Sequence, residues 1–351
     1  MMGHEHVANI NILDGAQVAG VYDPVPDLAQ AASAKADGAR VFKSVKDIAS
    51  AGLDALVIAS PNHRHVDNLE EITNYSDAAL LCEKPLFVHP EQEARLDAIT
   101  ASHTSPIWVA MEYRYMPAIQ QFISEIDVAT GGLKMLTIQE HRFPFLPKIG
   151  NWNRFNRNTG GTFVEKCCHF FDLMRLISKG EPVRISASAD QINNHLNERY
   201  QGERPDIWDG GYVLVDFDNG VRGMLELCMF AEGAIWQEEI TGLGPKGKIE
   251  TRIPGPQRMW PKDLGQPPHA QLSTYPRSPK NPQTREITVD AQALNAGDHQ
   301  GATFYQHQKF LDVVNGQGEV EVSVEDGKRA VKMGLAAQKA AVENTVVELE
   351  F

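Results

Sequence analysis

The sequence has few cysteines, no basic tract and no long apolar run, and each absence removes a class of protein. Four cysteines in 351 residues, Cys82, Cys167, Cys168 and Cys228, are too sparse for a disulfide scaffold, and two of them are adjacent, which disfavours a bridge between them. They read as reduced thiols. No apolar run approaches the roughly 20 residues of a membrane span. Nor does Met1 open a basic start followed by an apolar core, as a signal peptide would, so the cytoplasm is the expected location. Lys and Arg number 33 against 46 Asp and Glu, a formal net charge of -13 with both signs interspersed. A nucleic acid or an anionic membrane calls for a basic stripe, so the expected partner is a small neutral molecule and neither of these. Repeats and low-complexity tracts are missing too, and the Pro-rich stretch from Pro254 to Pro282 reads as a long surface excursion. A chain of this length exceeds the usual single core, which points to two domains.

The first third alternates short apolar runs with helical patterns, the rhythm of a parallel sheet covered by helices. "AQVAGVYD", "ARVFKS", "LDALVIAS", "AALLCEK" and "PIWVAME" read as strands, and the segments between them have helical length. Ahead of the first strand, Val7, Ile10 and Leu13 recur at near-helical spacing until Asp14-Gly15 stops the pattern. A helix thus comes first, with no strand in front of it.

Parallel sheets bind ligands beyond the carboxyl ends of their strands, so residues just after each strand are the candidates. Asp23 ends the first strand, twenty residues after Gly3. In a dinucleotide fingerprint an acidic residue at about that distance from the glycines accepts the adenosine ribose hydroxyls. The competing reading is a turn or helix-capping Asp before Pro24. Pro61, Asn62 and His65 follow the third strand, and Glu83, Lys84 and Pro85 the fourth.

Farther on, "NRNTGGTFVEKCCHFFDLMRLI" reads as a Gly-Gly turn feeding one helix, with Glu165, His169 and Asp172 at i, i+4 and i+7 along one face. Cys167, Cys168 and His169 point in different directions as consecutive residues and cannot chelate one zinc tetrahedrally, so no metal is expected. A polar stripe on an apolar helix is then either an internally satisfied cluster or a catalytic one. The strands "VRISASADQI", "GYVLVDF", "VRGMLELCMF", "WQEEITGLG" and "GKIETRI" follow, and Asn219-Gly220 predicts a two-residue hairpin turn with both positions at positive φ.

Several of these segments, in this order, resemble the glucose-fructose oxidoreductase, inositol dehydrogenase and rhizopine-catabolism (Gfo/Idh/MocA) family. "SPNHRH" is similar to its TPNxxH, "CEKPL" to its EKP signature, "MEYRYMPAI" to a segment ending in RxxP, and "GGTFVEKCCHFFDLMRLI" to the helix bearing its catalytic histidine. "FYQHQKFLDVVNGQGEVEVSVEDGKRAVKMGLAAQKAA" is similar to its closing helix, loop and helix. The resemblance implies an α/β protein. A Rossmann-type NAD(P)-binding domain over residues 1–117 would precede an α/β domain over 118–351, built on a large, mostly antiparallel sheet, whose last helix returns toward the first domain. It implies an NAD(P)-dependent dehydrogenase acting on CH–OH groups. Gly3, Asp23, Pro61, Asn62, His65, Glu83 and Lys84 would face the cofactor. A carboxylate at Asp23 repels a 2'-phosphate, which favours NAD over NADP.

Two departures stand out. The family more often places Asp four residues before the catalytic His, with Gly between; here those positions hold Glu165 and Cys167-Cys168. The second is at the start. The fingerprint Gly-x-Gly-x-x-Gly follows the family's first, central strand, and "MMGHEH" supplies only its last glycine, Gly3. The expectation is an N-terminally shortened chain whose first strand is missing, most simply from a start assigned too late, with weakened cofactor binding and stability.

Alcohol oxidation removes a hydroxyl proton as hydride leaves carbon, and a neutral histidine suits that task. His169 is therefore expected as the general base, Lys84 as the cation that stabilises the developing alkoxide, and Glu165 as the group that fixes the imidazole or grips a substrate hydroxyl. Trp152, Arg154, Asn156 and Asp172 are the expected substrate contacts. Asp172 is on the family pattern more a structural residue, and Arg142, Asn153 and Arg157 are further possibilities. The expected substrate is a cyclic polyol or sugar, with a carboxylate held by Arg154 or Arg157 as the alternative. The expected assembly is a homodimer or homotetramer through one face of the second sheet. The competing function is a nicotinamide-binding regulator or impaired family member.

Overall fold

The computed structural model describes residues 2–350. The chain divides into two compact units, residues 2–115 with Val289–Lys328, and Met116–Thr288 with residues 329–350.

In the first unit the strands are β1 (Gly20–Val21), β2 (Arg40–Val41), β3 (Ala55–Ile58), β4 (Ala79–Glu83) and β5 (Ile107–Ala110), and every pairing is parallel. They form two sheets, β1-β2 and β3-β4-β5, with no ladder between them among the described residues. β1 and β2, two residues each, are shorter than the runs "AQVAGVYD" and "ARVFKS" predict. β4 is buried along its whole length and reads as an unbroken apolar run, as a strand flanked and covered on all sides should. Helices Met2–Asn11, Pro26–Lys35, Val45–Ala49, His65–Thr73 and Glu93–Ser102 occupy the predicted segments. Pro26 suits the first turn of its helix. Ser44 caps the third by accepting the Asp47 N–H at 3.0 Å.

Residues 289–328 complete this unit with helices Ala291–Asn295 and Ala302–Val314. No local pattern announces that return. It is tied in by the Val109 N–H donating to the Val322 carbonyl (3.1 Å) and by the buried Arg114 guanidinium donating to the Glu321 carbonyl (2.7 Å). The opening helix packs against Ala302–Val314 and buries His6 and Asn9 as well as Val7.

The second unit holds β6 (Met135–His141), β7 (Pro182–Asp190), β8 (Gly210–Phe217), β9 (Arg222–Cys228), β10 (Trp236–Gly244), β11 (Gly247–Pro254), β12 (Ala270–Pro276), β13 (Gln283–Ile287) and β14 (Val347–Glu348). They make one sheet in the order β13-β12-β11-β10-β6-β9-β8-β7-β14, antiparallel except for β6 beside β9. The Pro-rich stretch is only partly an excursion: two short 3-10 turns lead into β12, which pairs with β11. The hairpin between β8 and β9 also differs from expectation. Phe217 pairs with Val221 around a three-residue loop, Asp218 to Gly220, in which Gly220 alone has positive φ, 85°. A three-residue loop needs only one left-handed position, which glycine fills at no steric cost.

One face of this sheet, with Leu136, Ile138, Val213, Val215, Leu225 and Ile240, is buried. Helix Pro117–Thr130 packs on β10, β11 and β12, and helix Cys168–Ser178 on β6. On β8 the alternate residues Tyr212 and Leu214 are 56% and 54% exposed, the half-covered pattern of an antiparallel sheet. Among the described residues no helix is long and apolar enough to cross a membrane.

Candidate functional site

In the first unit the strand ends carry the candidates. Gly3 lies in the first turn of the opening helix, where an added Cβ would meet Ala59 at an ordinary 3.8 Å. Packing within the protein therefore leaves room for a side chain there. Asp23 follows β1 and accepts the Val25 N–H at 2.8 Å, so the turn-forming role is realised through one of its oxygens. Pro61 leads into a 3-10 turn, Asn62–Arg64, and the Asn62 side-chain nitrogen is buried with no hydrogen-bond partner among the described residues. A buried unpartnered donor at a strand end, a glycine in the first turn of a helix and a strand-end carboxylate suit a dinucleotide.

His65 and Glu83 are engaged by the protein's own groups. The His65 ring is fully buried between the Pro85 carbonyl (2.7 Å from Nδ1) and the Ser60 carbonyl (2.9 Å from Nε2). It braces the loops after β3 and β4 and has no nitrogen left for a ligand. Burial holds its pKa below the usual 6.5 against the pull of those carbonyls and of Glu83. Glu83, also buried, spends both carboxylate oxygens on the protein: Oε2 accepts the Lys84 N–H at 3.1 Å and Oε1 accepts His6 Nε2–H at 2.9 Å. Both side chains are thus held by groups of the protein itself. Lys84 itself is half-buried, at the carboxyl end of β4.

Around Glu83 lies a set of ionisable groups that the sequence reading missed. His6 Nδ1 meets His307 Nε2 at 2.9 Å. Next to His6 in sequence, Glu5 accepts from His299 Nδ1 (2.8 Å), the Thr303 hydroxyl (3.0 Å) and the Asp298 N–H (3.3 Å). Burial pushes the Glu5 carboxyl up, but the charge and hydrogen bond of His299, the Thr303 bond and His6 outweigh it and hold it at about 2. Glu112, just after β5 and 4.0 Å from His299 Nε2, goes the other way. Burial and the negative charge of Glu83 push it up to about 7 against His299 and Lys84.

In the second unit Gly160 and Gly161 have φ of 76° and 97°, and a Cβ on Gly161 would sit 2.2 Å from the Gln338 side chain. This turn requires glycine. The expected single helix after it is two: Thr162–Glu165 and Cys168–Ser178. The Phe170 and Phe171 N–H groups both return to the Cys167 carbonyl at 2.9 Å, so a fresh helix starts there. Glu165 thus ends one helix and His169 lies in the first turn of the next. Glu165, His169 and Asp172 are all buried. Between them Lys166 turns to the sheet, where its ammonium lies 2.8 Å from Glu140. Among the described residues no group of three His, Cys, Asp or Glu is arranged to hold a metal, and all four cysteines are free thiols.

The residues ahead of the Gly-Gly turn are mostly committed to acidic residues downstream of it. Arg154 is buried, its Nε donating to Glu198 at 2.9 Å. Glu198 also accepts from His195 (2.8 Å) and the Tyr200 hydroxyl (2.8 Å). Burial works against ionisation of Glu198, but these three bonds hold it at about 2. Exposed Arg157 makes a two-pronged pair with Glu203 at 2.6 and 2.8 Å. Asn156 is held by Asp206 through its N–H (2.7 Å) and its side-chain amide (2.9 Å). Trp152 is half-buried, with the Lys148 ammonium 5.9 Å from its ring centroid.

Comparison with known proteins covers nearly the whole chain. Residues 1–111 match the family model described as "Oxidoreductase family, NAD-binding Rossmann fold", and residues 130–349 match "Oxidoreductase family, C-terminal alpha/beta domain". The chain is 24% identical over 265 residues to the rhizopine catabolism protein MocA of Rhizobium meliloti, covering 75% of this chain and 77% of that one. It is 27% identical over 190 residues to the inositol 2-dehydrogenase of Rhizobium meliloti strain 1021, covering 54% and 55%. Its fold matches that of a levoglucosan dehydrogenase solved in complex with NADH and levoglucosan, with a TM-score of 0.79 at 18% identity over 99% of this chain and 96% of that one.

Proposed function

The chain belongs to the Gfo/Idh/MocA oxidoreductase family, and from that premise we propose that it is an NAD-dependent dehydrogenase oxidising a secondary alcohol of a cyclic polyol or sugar. The observation that carries this reading is Lys84, a half-buried cation at the carboxyl end of the fully buried strand β4, where parallel sheets bind ligands. Gly3, Asp23, Pro61 and Asn62 are the residues suited to hold the dinucleotide. When bound, NAD supplies the hydride acceptor. His169 takes the hydroxyl proton, Lys84 offsets the negative charge that develops on the oxygen, and Glu165 orients the imidazole or a neighbouring hydroxyl. The matched Arg154–Glu198 and Arg157–Glu203 pairs support a neutral substrate over a carboxylate.

We place the protein in the cytoplasm, as a dimer or tetramer joined through the sheet face that exposes Tyr212 and Leu214; light scattering of the purified protein tests the assembly. The function is tested by offering inositols, aldoses and anhydrosugars with NAD or NADP and following the absorbance of the reduced cofactor. Turnover of at least one cyclic substrate, with NAD preferred, is the expected result. NAD binding by titration without turnover of any of them would favour a regulatory or impaired member instead.

A further inference from the structure

Beneath Lys84 runs a chain of buried side chains drawn from segments up to 301 residues apart: Glu83, His6 and His307. All three are almost wholly buried. Groups like these are kept in a protein interior only when each polar atom is answered.

The proton positions follow from the partners. A carboxylate can only accept, so His6 Nε2 carries a hydrogen toward Glu83. That leaves His6 Nδ1 facing His307 Nε2, and two ring nitrogens at 2.9 Å make a bond only when one holds the proton between them. In either placement the hydrogen at His6 Nε2 still points to Glu83. His307 therefore fixes the direction of the His6 ring whichever nitrogen owns the shared proton. Glu83, so gripped on Oε1, gives its other oxygen to the Lys84 backbone N–H.

We propose that His6 and His307 are positioning residues for Lys84: together they tether Glu83 so that its charge and its grip on the Lys84 backbone stay fixed at the end of β4. This rests on the dehydrogenase reading only in giving Lys84 a role in turnover.

The surrounding charges agree. Burial pushes the Glu83 carboxyl up, but the His6 hydrogen bond and attraction, Lys84 and His65 outweigh it and keep it below the usual carboxylate range. Burial and the adjacent His6 keep His307 neutral, well below 6.5. Glu112, pushed up to about 7, is largely uncharged below neutrality. The groups acting on this corner are thus Glu83 and Cys82 on β4, His6 and Glu5 on the opening helix, His65, Glu112, and His299 and His307 of the returning segment. Of those acting on Lys84, Glu83 is the hydrogen-bonded negative charge next to it and Glu112 becomes a second one above about 7; a negative neighbour favours the ammonium.

The test reads Lys84 directly, without turnover. The 351-residue chain is acetylated with trace acetic anhydride across a pH series, and acetylation of the Lys84 peptide is followed by mass spectrometry with exposed Lys43 as internal standard. Glu83→Gln keeps the shape and removes the charge, and should move the Lys84 midpoint down by about one pH unit or more. His6→Phe and His307→Leu should move it the same way, while His307→Gln, which keeps a donor for His6, should restore most of it. Melting temperatures of all four identify any variant that fails to fold; the Glu83→Gln and His307→Gln results then decide. An unmoved midpoint in Glu83→Gln would overturn the proposal. A shift in Glu83→Gln with none in His6→Phe or His307→Leu would overturn the tether. A shift in a protein that turns over no alcohol would leave the tether standing and remove the dehydrogenase reading.

Discussion

Glu140 on β6 and Glu238 on β10 stand directly opposite each other across an antiparallel ladder, both buried, with Lys166 Nζ 2.8 Å and Arg142 Nη1 3.2 Å from the Glu140 carboxylate. Two like charges cannot comfortably face each other there. Burial and the charge of Glu140 push Glu238 up to about 7 from an ordinary 4.5, against Gln237, Lys166 and Arg142. Protonation of Glu238 removes that repulsion, opposite a Glu140 Oε2 that has no hydrogen-bond partner among the described residues.

A folded-state pKa above the unfolded one means that folding takes up a proton in between. The contribution of Glu238 is fully present below about 4.5 and is lost as pH rises through about 7, a fall of about 3 kcal/mol. Glu238→Gln mimics the protonated acid at every pH. It should match the parent near pH 5 and melt higher than the parent at pH 8; an identical pH dependence in thermal melts would refute the protonated state of Glu238.

Glu5 gives the opposite sign. Its folded value of about 2 lies below 4.5, so its contribution is present above 4.5 and is lost as pH falls through 2. Glu5→Gln should destabilise the protein by about 3 kcal/mol at pH 7, narrowing to about half of that by pH 3, as read from urea unfolding. A deficit independent of pH would mean that the bonds to His299 and Thr303 matter through shape and not charge.

Lys84→Ala and His169→Asn should both spare cofactor affinity while lowering kcat. Loss of the cation should cost about a hundredfold or more, and loss of the base about a hundredfold to ten-thousandfold. The pH profiles should separate them, because only the His169 variant should lose the ionisation of a general base. Unchanged turnover in either variant takes that residue out of the reaction.

Asp23→Ser should narrow the preference for NAD over NADP by removing the repulsion of a 2'-phosphate. Comparative titration of the two cofactors against parent and variant reads the ratio, and a parent that prefers NADP would contradict the reading of Asp23.

The strand and helix alternation of the first unit was legible because buried parallel strands are apolar runs bounded by turns. β6 was not, although "MLTIQEH" alternates: one of its inward positions holds Glu140, and a buried charge disguises the period. The break between Glu165 and Cys168 was hidden for the converse reason, since the apolar spacing runs straight through it. Lys84, Glu165 and His169, the residues of the proposed site, could be singled out by type and place. The cluster of Glu5, His6, Glu112, His299 and His307 could not, because it is assembled from segments up to 301 residues apart, and "GHEH" at a helix start looks like solvated surface. The partner of Arg154 was equally out of reach, 44 residues downstream in a loop.

The arginines ahead of the Gly-Gly turn each arrive with a carboxylate of their own. In engineering terms the segment is a latent anion receptor with its counter-ion built in. On the proposed reading, acceptance of acidic sugars would be reached by subtraction: Glu198→Gln would strip the charge from the partner of a guanidinium that is already buried and already oriented. Adding a new arginine would first have to solve the desolvation that Arg154 has met. Discrimination between neutral and acidic substrates would then reside less in the cation than in the loop that silences it.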